Sequence, residues 1–272
     1  MTRAMSCFLW GQKRIGKTSV LEVMKEQLRE KRATVALIRM GEIRGLPEGK
    51  VAKVILERLT SGLSTPPDQR EFTYLGNLVN PIEELIETYK SNRFVVLIDE
   101  FDDLPESFYT GNRGLAFMLA MRTLSEVGLT FILAGSERMQ VIYSAHAERL
   151  NQWSNHFLDE VPLTDCRTLV TEPLSGDIDF DPDCVEEIIE YCGQNPFYIS
   201  RICWRIFLGA MSERRTYVGK THFDDARREF LKSSQEGMFK HFWSDNPLLP
   251  GIERDEAQAY CALALAYASA SG

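Results

Sequence analysis

The residues GQKRIGKT, positions 11–18, restrict what this chain can fold into more than any other stretch. They fit the spacing G-x-x-x-x-G-K-[ST], and they are flanked by the apolar run SCFLW (6–10) and by an amphipathic stripe of Val20, Leu21, Met24 and Leu28. A buried strand, a glycine loop and a helix, in that order, let successive backbone N–H groups converge on an anion at the positive end of the helix. Gly11 and Gly16 leave the backbone free to curl there. Around a nucleotide's phosphates, the loop would offer Gln12, Lys13, Arg14 and Ile15. Lys17 would reach the β- and γ-phosphates, the Thr18 hydroxyl would ligate magnesium, and Ser19 would touch the α-phosphate.

Magnesium at such a loop needs a carboxylate from the end of another buried strand. FVVLIDEFDDL (94–104) supplies one: Asp99 would hold the metal's shell, and Glu100 is placed to polarise a water for in-line attack. Asp102 and Asp103 read as a solvated turn. A further buried run, TFILAGSERM (130–139), ends in small and polar residues. Two readings fit Ser136. Beside Asp99 it would sense the γ-phosphate or orient water, and at a strand-to-helix junction it would cap the next helix. Arg138 reads as a surface side chain.

TVALIRM (34–40) and HFLDEV (156–161) add strand candidates, and PIEELIETYK (81–90) and LAFMLAMRTLSEV (115–127) carry helical patterns between strands. Alternating strand and helix predicts an α/β fold of the P-loop NTPase kind, with a parallel sheet flanked by helices. After residue 162 the strands are expected to stop. Helical segments at 164–172, 182–192, 196–212 and 221–242 predict an α-helical lid subdomain. The expected organisation is a core over 1–162, the lid over 163–250, and a truncated further domain, winged-helix-like, or a tail over 251–272.

A net charge of -8 disfavours phosphate backbones and anionic membrane surfaces as partners, so direct nucleic-acid binding is not expected. The apolar runs are far too short to span a bilayer. Six cysteines without C-x-x-C spacing suit buried thiols in a reducing cytoplasm. DIDFDPD (177–183) has the alternating acids of a calcium loop, but Pro182 stands where that loop needs glycine. Asp181 as a helix N-cap followed by Pro182 explains the stretch better. The four histidines form no metal-ligand pair at helical spacing.

Taken together, GKTS, FVVLIDEFD, FILAGSERM, HFLDEVPLTDCRTLVTEPL and YCGQNPFYISRIC resemble the signal-transduction ATPases with numerous domains (STAND) of the AAA+ superfamily, prokaryotic type. The likeness covers nearly the whole chain, and its later segments are its more specific part. It implies ATP or ADP with Mg2+ held between the sheet domain and a lid, slow hydrolysis, and a homo-oligomer on activation. It also implies effector and sensor domains outside the fragment. In that family a G-x-P proline starts a lid helix facing the nucleotide, and Gly193 and Pro196 match it here. The family's adenine-holding motif before the first strand has no counterpart, and only the first helix of its winged-helix domain is matched. Two rival readings are an AAA+ loader or transposition helper acting on DNA and a non-hydrolysing nucleotide-binding scaffold.

Overall fold

Short runs of consecutive large apolar residues become the strands of one parallel sheet, because only strands buried on both faces tolerate that pattern. The computed structural model describes residues 5–64 and 68–233, which divide into two units: 5–12 with 17–158, and 13–16 with 159–233. In chain order, the first unit holds β1 (Cys7–Gly11), α1 (Lys17–Glu30), β2 (Ala33–Arg39), α2 (Met40–Ile43) and α3 (Glu48–Thr60). It continues with α4 (Val79–Thr88), β3 (Arg93–Asp99), α5 (Gly111–Val127), β4 (Leu129–Gly135), α6 (Arg138–His146) and β5 (Ser154–Leu158). The strand order is β2-β3-β4-β1-β5, and every pairing is parallel.

All seven residues of β4 are buried, as befits the central strand. β5, at the edge, alternates little and is mostly exposed, with polar Asn155 and His156 facing water. Trp10 Nε1 donates to Asn155 Oδ1 at 2.7 Å across the β1–β5 pair. Helix α1 covers one face of the sheet, setting Leu21 against Leu9, Val35, Leu97 and Ile132. The other face carries the larger core: Phe8, Ile38, Val96, Phe131 and Leu133 pack against α3, α4, α5 and α6. Burial of these side chains at about 25 cal/mol per Å² is the main force holding the helices to the sheet.

Helix α3 was not anticipated from the sequence, although Val51, Ile55, Leu56 and Leu59 form its buried stripe. Gly49 in its first turn is required by space, since a Cβ there would lie 1.8 Å from the Phe72 carbonyl oxygen.

The second unit holds α7 (Leu163–Thr171), β6 (Asp179–Phe180), α8 (Pro182–Cys192), α9 (Pro196–Glu213), β7 (Tyr217–Val218) and α10 (Lys220–Ser233). Its core gathers Cys166, Ile188, Ile199, Ile202, Ile206 and Phe223. Asp181 caps α8, its Oδ1 accepting from Asp183 N at 2.9 Å, with Pro182 as the first helical residue. Strands do not stop at 162, because β6 and β7 form a two-stranded parallel pair. Two residues each are too few to show as an apolar run, and pairing to Thr216 and Val218 carbonyls defines them. The helix expected to reach 242 is described to Ser233. Its remainder, the expected domain or tail over 251–272, His241 and Cys261 lie outside the described residues.

Candidate nucleotide-binding site

The carboxyl ends of β1, β3 and β4 lie side by side, since Leu9 pairs with Ala134 and Ile98 with Leu133. In an open α/β sheet this edge is where ligands bind. β1 ends at Gly11, and α1 begins at Lys17. Between them, Arg14 and Gly16 take left-handed backbone at φ 71° and 108°. A Cβ at Gly16 would meet nothing within 4 Å, so glycine is required there by conformation and not by space. Ile15 is buried, while Gln12, Lys13, Thr18 and Ser19 are exposed. The Lys17 ammonium donates to the carbonyl oxygens of Gly11 at 2.8 Å and Gln12 at 2.6 Å.

Thr18 Oγ1 donates to Asp99 Oδ2 at 2.6 Å. Residues 81 positions apart in sequence are thus brought together, one at the start of α1 and the other at the end of β3. Asp99 is buried, and its other oxygen accepts from the Glu100 amide at 3.1 Å. Glu100 turns sharply out of the strand at φ 57°, ψ 39°, leaving its side chain exposed.

The family described as AAA domain matches residues 1–142. The chain belongs to the AAA domain family. Among solved structures it is similar to a Walker-type ATPase of Pyrococcus abyssi, at 15% identity and TM-score 0.62, over 86% of this chain and 69% of that one. It is also similar to the ORC2 protein of Aeropyrum pernix in its ADPNP–ADP complexes, at 13% identity and TM-score 0.60, covering 86% of this chain. The ORC1 protein of Aeropyrum pernix, in complex with DNA, matches at 15% identity and TM-score 0.54, covering 84% of this chain. The chain spans 64% and 60% of those two ORC chains. No curated protein gives a significant match. The fold is that of P-loop ATPases, and the chain carries an AAA-type nucleotide-binding domain.

AAA domains generally take nucleotide with Mg2+, and the donor set here fits both. A threonine hydroxyl and a buried carboxylate in contact are the hard oxygen ligands that magnesium selects, and Lys17 would supply the cation for the phosphates.

Asp102 corrects the sequence reading. It does not lie on a solvated turn but is buried at 5% exposure. Asp102 Oδ1 accepts from the Ser136 amide at 3.1 Å, and Oδ2 accepts a short hydrogen bond from the Ser136 hydroxyl. β3 and β4 are neighbours, yet the Ser136 hydroxyl is bonded to Asp102 and not to Asp99. Ser136 Oγ also accepts from Arg138 N at 3.3 Å, at the first residue of α6, although the N-cap residue of that helix is Glu137 and not Ser136. Gly135 was missed by sequence reasoning. A Cβ there would lie 2.3 Å from Asp102 Oδ1 and 2.5 Å from Met139 Cγ, and a lone glycine before a serine carries no signal of that.

In the second unit, Gly193 ends α8 at φ 58° and Pro196 opens α9. Asn195 Oδ1 accepts from Phe197 N at 3.0 Å, as an N-cap does. Phe197 and Tyr198 meet edge to face at 5.4 Å. Among the described residues, no helix of the AAA domain chain is long and apolar enough to cross a membrane.

Proposed function

We propose that this AAA domain works as the nucleotide switch of a STAND-type signalling or defence ATPase. It binds ATP with magnesium, hydrolyses it slowly, and couples the bound state to conformation and homo-oligomerisation. On this reading residues 1–162 form the core, 163–250 the lid and 251–272 the start of a further domain, with effector and sensor domains elsewhere. The observation that carries it is the Thr18–Asp99 hydrogen bond beside the loop that holds Lys17. Lys17 neutralises phosphate charge, Thr18 and Asp99 hold the metal, and Glu100, exposed at its turn, takes the proton of the attacking water. Bound magnesium supplies charge neutralisation at the phosphates. The STAND assignment draws on the later motifs, where Pro196 opens α9 behind its Asn195 cap, a helix start of the kind the resemblance implies for the proline.

Nucleotide binding and turnover of the whole chain, measured with magnesium, test this. Lys17→Ala is expected to weaken ATP binding at least about 100-fold, while Glu100→Gln keeps binding and loses about 100-fold or more in turnover. Unchanged binding in Lys17→Ala would sink the phosphate-loop assignment. Tight binding without turnover in the unsubstituted chain would favour the scaffold reading.

A second reading, an ATPase acting on DNA, is favoured by the ORC1 neighbour, whose structure is a DNA complex. That neighbour removes support from the expectation against nucleic-acid binding, which rested on net charge alone. Turnover stimulated by duplex DNA and lost at high salt would establish it.

A further inference from the structure

Glu100 is bracketed by two buried aspartates, each anchored to a different element. Asp99 is tied to α1 through Thr18, and Asp102 to the tip of β4 through Ser136. A buried carboxylate is unfavourable unless its oxygens are hydrogen-bonded. Among the described residues, Asp102 receives both of its hydrogen bonds from Ser136. The backbone has been shaped to allow this, because any side chain at Gly135 would collide with Asp102 Oδ1. The turn between the two aspartates holds Glu100 in the left-handed region, with Asp103 N bonded to Glu100 O at 2.9 Å and Phe101 fully buried. A non-glycine residue keeps that backbone only where its surroundings over-determine it.

We propose that Asp102 is a positioning residue: by clamping Ser136 it locks the tip of β4 to the turn that presents Glu100, and so sets the direction of the Glu100 carboxylate. Ser136 is then the other half of this lock. Its hydroxyl proton is committed to Asp102, and its lone pair accepts from Arg138 N. A shift at the β4 tip is transmitted to Glu100 through one carboxylate. The consequence for turnover rests on the hydrolysis proposed above, whereas the lock itself does not.

The test uses the full chain with Asp102→Asn, Ser136→Ala and the double variant. Asparagine keeps the volume and can still accept from the Ser136 amide, but its Nδ2 can only donate to the hydroxyl oxygen, so the Ser136 hydroxyl proton loses its charged acceptor. Three quantities are read: amide hydrogen exchange at residues 99–103 and 134–138, affinity for a fluorescent ATP analogue with magnesium, and turnover per folded molecule. Each single variant is expected to speed exchange about tenfold or more in both segments, leaving β2 unchanged. Affinity should stay within about threefold, and turnover should fall at least about tenfold, because small misplacement of a catalytic group is costly. The double variant should be no worse than either single one, and Ser136→Thr should restore both exchange and turnover. Unchanged exchange at 99–103 in Asp102→Asn, or additive losses in the double variant, would overturn the lock. Normal turnover with faster exchange would overturn its role in positioning Glu100. If the unsubstituted chain binds the analogue without turnover, the hydrolysis reading fails by itself and the exchange data alone decide the lock.

Discussion

Replacing Gly135 by alanine sets opposing effects against each other at the end of β4. Alanine gains about 0.5–1 kcal/mol over glycine in a strand, because less backbone freedom is lost on folding. Against this, the new methyl would sit 2.3 Å from Asp102 Oδ1, 2.5 Å from Met139 Cγ and 2.8 Å from Met139 Sδ. Met139 is fully buried and Asp102 is held by two hydrogen bonds, so neither can swing aside. Overpacking of this kind costs about 1–3 kcal/mol, and displacing a hydrogen-bonded carboxylate costs about 1.5–3 kcal/mol more. The net loss is about 2–5 kcal/mol, a large share of the roughly 5–15 kcal/mol that holds a domain together. Native-state hydrogen exchange reads it locally. Amides of Phe131 and Leu133, which exchange only when the sheet opens, should exchange roughly 30- to 3,000-fold faster at about 1.4 kcal/mol per tenfold. Amides of α8 and α9 in the second unit serve as an internal control and should not change. A shift below about threefold at β4 would mean that the Asp102 side chain has room to move and that the close approach is not a constraint.

Other substitutions probe the second unit. Gly209 lies inside α9, where an added methyl would meet nothing within 4 Å, so Gly209→Ala should stabilise that unit by about 1 kcal/mol; a lower thermal midpoint would contradict it. Asn195→Ala removes the α9 cap and should cost about 1 kcal/mol, read by urea unfolding, while an unchanged midpoint would show that the cap contributes nothing. Burial pushes the thiols of Cys192 and Cys203 from 9.0 up to about 12. The folded state therefore keeps protons that the unfolded state releases above about pH 9, so stability should be level below that pH and fall between pH 9 and 12. Urea midpoints at pH 8 and 10.5 test this. A slope unaffected by Cys192→Ala together with Cys203→Ala would assign the effect to other groups.

Local sequence carried much of this architecture, for reasons visible in particular residues. The runs at 94–98 and 130–135 read as buried strands because β3 and β4 are covered on both faces. The meeting of Thr18 with Asp99 was legible because a loop suited to phosphate and an acidic strand end suited to magnesium would restrict residue type and position together. α3 escaped notice because its stripe follows a loop rich in glycine and proline. The Asp102–Ser136 pair was illegible in principle, since the partners stand 34 residues apart and their contact depends on the left-handed turn at Glu100. Four acids in one pentapeptide look alike on paper. Two of them are buried, Asp99 at the end of β3 and Asp102 just beyond the left-handed backbone dihedral of Glu100.

That dihedral also sets stability against activity at one position. A left-handed glutamate is strained by about 1–3 kcal/mol, and glycine would adopt the same φ of 57° without penalty. Glu100→Gly should therefore leave the fold as stable as before or more so, while removing the carboxylate on which the proposed hydrolysis would depend. Selection for thermal robustness alone would drift toward glycine here, and a library screened only for folding would enrich chains that lack this carboxylate. A glutamate at this turn is, on that argument, something the proposed chemistry would call for and folding alone would not.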